Sequence, residues 1–168
     1  MSVEPDFSLH PDPALARAAA QDLFERTATM LRSLLPASAD IRHIGATAIP
    51  GCLTKGDLDI VVRVDAADFA GADAALAAHF DRNTGSTHSD TFSSFESDST
   101  SPHLGVQLTV VGAPGDFFHT FVEALTRDPD LLTRYNALKR QFDGRPMDDY
   151  RAAKSAFITS VLHGAECS

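Results

Sequence analysis

His43-Ile44-Gly45-Ala46-Thr47-Ala48-Ile49-Pro50-Gly51, followed after three residues by Lys55-Gly56-Asp57-Leu58-Asp59-Ile60-Val61-Val62-Arg63-Val64, sets a glycine turn ahead of an apolar run that opens with acids. Leu58 to Val64 is rich in β-branched residues and reads as a central strand. Side chains alternate along a strand, so Asp57 and Asp59 project from one face while Leu58 and Ile60 project from the other. Two carboxylates so placed suit Mg²⁺, a hard cation that takes one or two protein carboxylates and completes its shell with substrate phosphates. A plainer reading makes Asp57 a turn cap after Gly56 and Asp59 a solvent-facing strand residue. The buried character of Ile60-Val61-Val62 weighs against that reading, because a carboxylate heading a buried strand is costly without a partner or an ion.

The preceding segment, Ile41 to Ile44, is a short apolar strand, and Gly45 to Gly51 is turn-prone. Gly45 lets a phosphate approach the backbone, where successive N–H groups and the Thr47 hydroxyl form an anion nest; the plainer reading is an ordinary glycine-proline turn. Lys55 is a compact cation beside the acids, suited to a phosphate or to the carboxylates themselves, although a lone loop lysine is more often solvated. His43 and His103 stand at strand ends and are candidate substrate contacts, against the commoner role of a packed histidine. No His-x-x-x-His pair, Gly-x-Ser-x-Gly elbow, Walker loop or dinucleotide glycine fingerprint occurs, which argues against a zinc site, a hydrolase triad and a P-loop kinase.

Outward from this core, Asp12 caps and Pro13 opens a first helix with Leu15, Ala19, Leu23, Phe24, Leu31 and Leu34 at helical spacing, ending near Pro36. Asp65 caps a second helix, with Phe69, Ala72, Leu76 and Phe80 on one face. Thr91 to Glu96 and His103 to Val111 form a polar hairpin. Three helices follow, Asp116 to Thr126, Pro129 to Phe142 and Met147 to His163, the last with Tyr150, Ala153, Phe157 and Val161 on one stripe. Gly144 and Gly164 suit helix ends. A short sheet followed by a run of helices, without strict strand-helix-strand alternation, is an α+β layout.

The 168 residues predict one domain spanning residues 1–168. A net charge of −9 without clustered Lys and Arg argues against extended nucleic acid and anionic membranes as partners, but not against a small anionic substrate met by a cation. No apolar run reaches the roughly 20 residues of a membrane span and the start lacks a secretory signal, so a cytoplasmic location is expected, with Cys52 and Cys167 as reduced thiols.

The residues His43 to Gly51, Lys55, Asp59, His103-Leu104 and the tail Tyr150-x-x-x-Lys154-x-x-Phe157-Ile158 resemble the GrpB-like family, from the first helix through Val161. That family is similar to the nucleotidyltransferase superfamily, whose members carry a Gly-Ser turn after one strand and Asp-x-Asp on the next. The resemblance implies a nucleotidyltransferase-like α+β fold, a small mixed β-sheet flanked by helices with a helical C-terminal part. It further implies Gly45, Ala46 and Thr47 as the phosphate turn and Asp57 and Asp59 as catalytic Mg²⁺ ligands. The implied reaction is transfer of a nucleoside monophosphate from a nucleoside triphosphate to a small acceptor.

Three departures qualify the likeness. Ala46 replaces the usual turn serine, leaving Thr47 as the substitute hydroxyl, and Asp57 restores an acid where many GrpB-like chains are apolar. The third carboxylate expected on a later strand, commonly the base, is missing: that strand offers Gln107, which accepts no proton at neutral pH, and Gly105 stands where a family-like histidine is expected. Glu96 is the acid available to stand in. The other reading is therefore a non-catalytic nucleotide- or phosphometabolite-binding module with a degenerate transferase site.

Overall fold

The computed structural model describes residues 4–166, which leaves Cys167 outside the described residues. Five strands form one sheet in the order β1-β2-β5-β4-β3. They are β1 (Asp40–Ile44), β2 (Leu58–Val64), β3 (Asp81–Arg82), β4 (Phe92–Ser97) and β5 (Leu104–Val110). The β2–β5 pair is parallel and the other pairs are antiparallel, so the sheet is mixed. The expected hairpin of β4 and β5 is present, with Phe95 opposite Val106. The two-residue β3 was not anticipated because it is too short to display a period; Arg82 within it lies 5.1 Å over the Phe95 ring and is held by Asp73.

One sheet face is the main core. Leu58, Ile60, Val62 and Val64 of β2 and Leu104, Val106 and Leu108 of β5 are buried against α1 (Pro13–Leu34) and α2 (Phe69–Ala77). Each such aliphatic side chain contributes about 1.5–3 kcal/mol by leaving water. Asp12 caps α1 as expected, its carboxylate accepting from the Leu15 N–H at 3.1 Å. The buried stripe of α1 is rotated from the expected one, running through Ala16, Ala20, Leu23, Thr27 and Leu31 while Leu15 is 61 % exposed. Ala20 lets the helix approach the strands closely and Ala16 lies beside Gly56 just before β2, a packing preference that bulk hydrophobicity does not reveal. The Asp65 cap is also corrected: a 3-10 turn, Ala66–Asp68, intervenes, Asp65 makes no side-chain cap bond, and α2 starts at Phe69.

Three helices complete the chain, α3 (Phe118–Arg127), α4 (Pro129–Phe142) and α5 (Met147–Glu166). They meet through Phe121, Leu125, Tyr135, Phe157 and Val161, which also receive Ile49 and Cys52 from the segment between β1 and β2. The α5 stripe is the expected one, and Gly144 adopts φ +81° after α4, but Gly164 lies inside α5 and ends nothing. The α3 helix begins two residues later than expected. Asp116 is drawn away to a bidentate contact with Arg63 at 2.6 and 2.9 Å and accepts from the Gly112 N–H at 2.9 Å. That clamp fixes the entry of α3 against β2 and thereby places Phe117 and Phe118. Among the described residues no helix is long and apolar enough to cross a membrane.

Candidate functional site

Asp59 sits near the start of β2, in register with Ile44 of β1 on one side and Gly105 of β5 on the other; Gly105 in turn faces Glu96 of β4. Its carboxylate fills the space above two glycines. A Cβ on Gly45 would stand 2.7 Å from Asp59 Oδ2, and one on Gly105 would stand 2.9 Å from Oδ1. Both distances are closer than real contacts, so a side chain on either flank would displace the carboxylate from this position. Gly45 has a second reason to be glycine: φ +75° and ψ −173° lie in a region essentially closed to residues with a side chain. Gly45→Ala is therefore expected to lose about 1–3 kcal/mol of stability and to shift Asp59, whereas Gly112→Ala, with φ +81° and open space around its Cβ, carries backbone strain alone. Urea unfolding of the two variants separates the steric contribution; equal losses would mean Asp59 yields freely.

Among the described residues, no donor is placed in hydrogen-bonding distance of the Asp59 carboxylate. Burial pushes its carboxyl up from the ordinary range, Lys154 draws it down, and the Asp57 charge pushes it up again. Asp57 and Asp59 line one cleft of 1250 Å³, together with Lys55, Glu96, Gln107 and Lys154. Lys55 Nζ lies 3.0 Å from Asp57 Oδ2, an ion pair exposed enough to open for a ligand. Two carboxylates opening on a roomy cleft fit a hard divalent cation whose other ligands come from a phosphorylated substrate. Among the described residues no group of three His, Cys, Asp or Glu side chains is disposed to hold a metal ion.

The remaining expected site residues are distributed differently. His43 alternates away from the cleft toward α1, where Nδ1 lies 2.9 Å from Gln21 and the ring stacks on Phe24 at 5.3 Å. Burial there lowers its pKa to about 4, so the ring is neutral at physiological pH. Thr47 is buried, paired with His43 Nε2 at 2.9 Å, and donates its hydroxyl hydrogen to the Asp57 carbonyl at 2.9 Å. Its hydroxyl thus braces the strand that carries the acids, and the two residues line a separate 480 Å³ hollow with Arg17 and Gln21. Ala46 packs toward the C-terminal apolar cluster. His103 flanks the cleft: its carbonyl accepts from the Leu58 N–H, Nδ1 lies 2.7 Å from Asp98, and Nε2 lies 3.9 Å from Glu96.

Two lysines stand behind this arrangement that residue spacing did not single out as site groups. Lys154, one turn after Tyr150 on α5, lines the cleft and makes no ion pair among the described residues, so its charge is directed at Asp59. The Tyr150-x-x-x-Lys154-x-x-Phe157 spacing was the available signal, since it places Lys154 on the flank of the helix stripe. Lys139, only 3 % exposed, donates from Nζ to the Tyr150 hydroxyl at 2.8 Å and lies 4.5 Å from the Tyr135 ring centre. Burial lowers its amine to about 7 and pushes the Tyr150 phenol up to about 12.

Comparison with known proteins places the chain in a family. The family model described as GrpB protein matches residues 16–163. A UPF0157 protein of Vibrio cholerae is 33 % identical over 147 residues, 87 % of this chain and 77 % of that protein. The crystal structure of GrpB from Enterococcus faecalis superposes with a TM-score of 0.71 at 21 % identity, over 88 % of this chain and 92 % of that one. The Cid1 poly(U) polymerase bound to MgGTP superposes with a TM-score of 0.51 at 12 % identity, over 74 % of this chain but 41 % of the polymerase. These two likenesses establish a shared fold.

Proposed function

Because the chain belongs to the GrpB family and shares its fold with a nucleotidyltransferase, we propose that it is a Mg²⁺-dependent nucleotidyltransferase acting on a nucleoside triphosphate and a small hydroxyl-bearing acceptor. One observation carries the reading: the Asp59 carboxylate is held between two glycines, short of hydrogen-bond donors, beside Asp57 on a cleft large enough for a triphosphate. Lys154 and Lys55 offset part of the cost of burying such a carboxylate, and an arriving cation would offset more.

Asp57 and Asp59 would hold the ion, which when bound neutralises charge on the transferring and leaving oxygens. Lys55 and Lys154 bind and orient the triphosphate from the same cleft. Glu96, across Gly105 from Asp59, accepts the acceptor's hydroxyl proton. The acceptor oxygen bonds to the α-phosphorus, the bond from that phosphorus to the oxygen bridging to the β-phosphate breaks, and pyrophosphate leaves with the electron pair.

The second reading, a binding module without turnover, is favoured by one feature: β5 presents Gly105 and Gln107 to the cleft and no acid. Thermal denaturation with Mg²⁺ and each nucleoside triphosphate tests binding, since a ligand selective for the folded state raises the melting temperature by mass action. Pyrophosphate release then divides the readings. A shift with release supports the transferase, a shift without it the nucleotide-binding module, and no shift with any triphosphate overturns both of these.

A further inference from the structure

Three phenylalanines line the cleft beside Asp59: Phe92 toward its β4 end, and Phe117 and Phe118, which also line a smaller pocket with Asp59, Gln107 and Lys154. Phe92 opens β4, four residues before Glu96, roughly 13 Å along the strand. Phe118 is near-parallel to Phe92, with centroids 6.2 Å apart and planes at 15°, and Phe117 stacks on Phe118 at 4.4 Å and 22°. All three are only half-buried, and none packs into the three apolar clusters that hold the molecule together.

This shelf is built with some care. Phe92 lies so tightly on the backbone at Gly115 that a Cβ there would be 2.7 Å from its ring. The neighbouring Asp116 is locked by the bidentate Arg63 contact, which fixes Phe117 and Phe118 in turn. Rigid, parallel aromatic rings left facing a cleft are a stacking surface for another ring.

The rest of that end decides the character of the ring. Its lining comes from Asn83, Ser86, Thr87, Ser89 and Thr91, which offer amide and hydroxyl groups and no ionisable one. The charged lining is Lys55, Asp57, Asp59, Glu96 and Lys154, together with Arg151, which is ion-paired to Glu4 and Asp148. A phosphate chain belongs with the cations; an uncharged planar ring belongs on the shelf. Glu96, the group assigned to take the acceptor's proton, shares strand β4 with Phe92, and Phe117 and Phe118 border Asp59 directly, so a ring on the shelf is within reach of both carboxylates.

We propose that the Phe92, Phe117 and Phe118 shelf with its amide and hydroxyl rim binds the uncharged planar ring of the acceptor, making that acceptor a neutral ring-bearing alcohol of nucleoside-like size. The proposal rests on the transferase reading for its acceptor role, while binding to the shelf needs neither metal nor triphosphate. It is tested by calorimetric titration of the full chain with adenosine, uridine and phenyl glucoside, each with and without Mg²⁺ and tripolyphosphate. Expected is binding of at least one ring compound without Mg²⁺, retained in the presence of Mg²⁺-tripolyphosphate, and weakened at least tenfold in Phe118→Leu. The milder Phe117→Leu serves if Phe118→Leu fails to fold. Absence of binding by every ring compound, or equal binding by the folded leucine variants, overturns the shelf. Displacement of the ring compound by a nonhydrolysable nucleoside triphosphate but not by tripolyphosphate overturns its assignment to the acceptor. Failure of Mg²⁺-tripolyphosphate to bind while the ring compound still does rejects the transferase reading and leaves the shelf standing.

Discussion

Lys139→Met melts well above the wild-type protein at pH 6, and the difference shrinks as pH rises. The amine is 3 % exposed, has the Tyr150 hydroxyl as acceptor at 2.8 Å, and is otherwise surrounded by the rings of Tyr135, Tyr150 and Phe7. No carboxylate pairs with it among the described residues, and Lys154 adds repulsion to the burial that holds it near 7. In the unfolded chain a lysine titrates near 10.4. Below about pH 7 both states carry the proton and the full cost of burying the charge persists. Above it the folded state gives up the proton that the unfolded state still holds, so stability rises with pH by about 1.4 kcal/mol per unit. The clean window is roughly pH 7 to 8.5, because above it an unfolded Cys52 thiol ionises while burial holds the folded one back.

Methionine keeps the apolar stem and removes the charge. The expected gain at pH 6 is about 3 kcal/mol after allowance for the Tyr150 hydroxyl losing its donor, or on the order of 10 °C for a chain of this size. Melting curves from pH 6 to 8.5 check it. A flat wild-type profile, or a variant that melts lower at pH 6, would falsify the account.

The second large effect separates stability from binding at one position. Asp59→Asn is expected to weaken Mg²⁺-dependent triphosphate binding at least 100-fold, about 2.7 kcal/mol, while raising stability at pH 7 by about 1–2 kcal/mol. Burial raises the folded pKa of Asp59 above the unfolded value near 3.9. The wild-type folded state is thus favoured in acid and loses that advantage as pH climbs through the interval between the two values. Asparagine does not titrate, so the variant's advantage appears across that interval and persists at neutral pH. Unfolding at pH 3 and pH 7, paired with ligand titration, measures both sides. A variant that is less stable at pH 7 shows that Asp59 is a structural carboxylate rather than one poised for a cation.

Much of this arrangement could be read from residue order because it depends on local rules. Asp57 immediately precedes and Asp59 lies on a strand whose two-residue period assigns each side chain a face, and the β4–β5 hairpin follows from alternation on both sides of a polar turn. What escaped depends on packing between distant elements. His43 and Thr47 lie close to the acids in sequence, yet alternation turns His43 toward Gln21 and Phe24 of α1, and the Thr47 hydroxyl follows it inward. The roles of Lys154 and Lys139 are fixed by how α4 and α5 cross near the sheet, and helical spacing gives a face but not its neighbour. The α1 stripe was misplaced for the same reason: Ala16 and Ala20 are buried because small residues fit there, not because they are the most apolar.

The parallel partnership of β2 with β5 bears on how the protein assembles. Leu58 pairs with Leu104, so the floor beneath Asp59 is closed by a contact between residues far apart along the chain, with a helix and two strands between them. During synthesis the β1–β2 hairpin can form early, presenting a carboxylate with one flank bare until Gly105 emerges. Loop-closure entropy makes that late pairing slow relative to the hairpin. Ligand-binding competence should consequently appear in refolding only with the last major phase, well after most helical signal has returned.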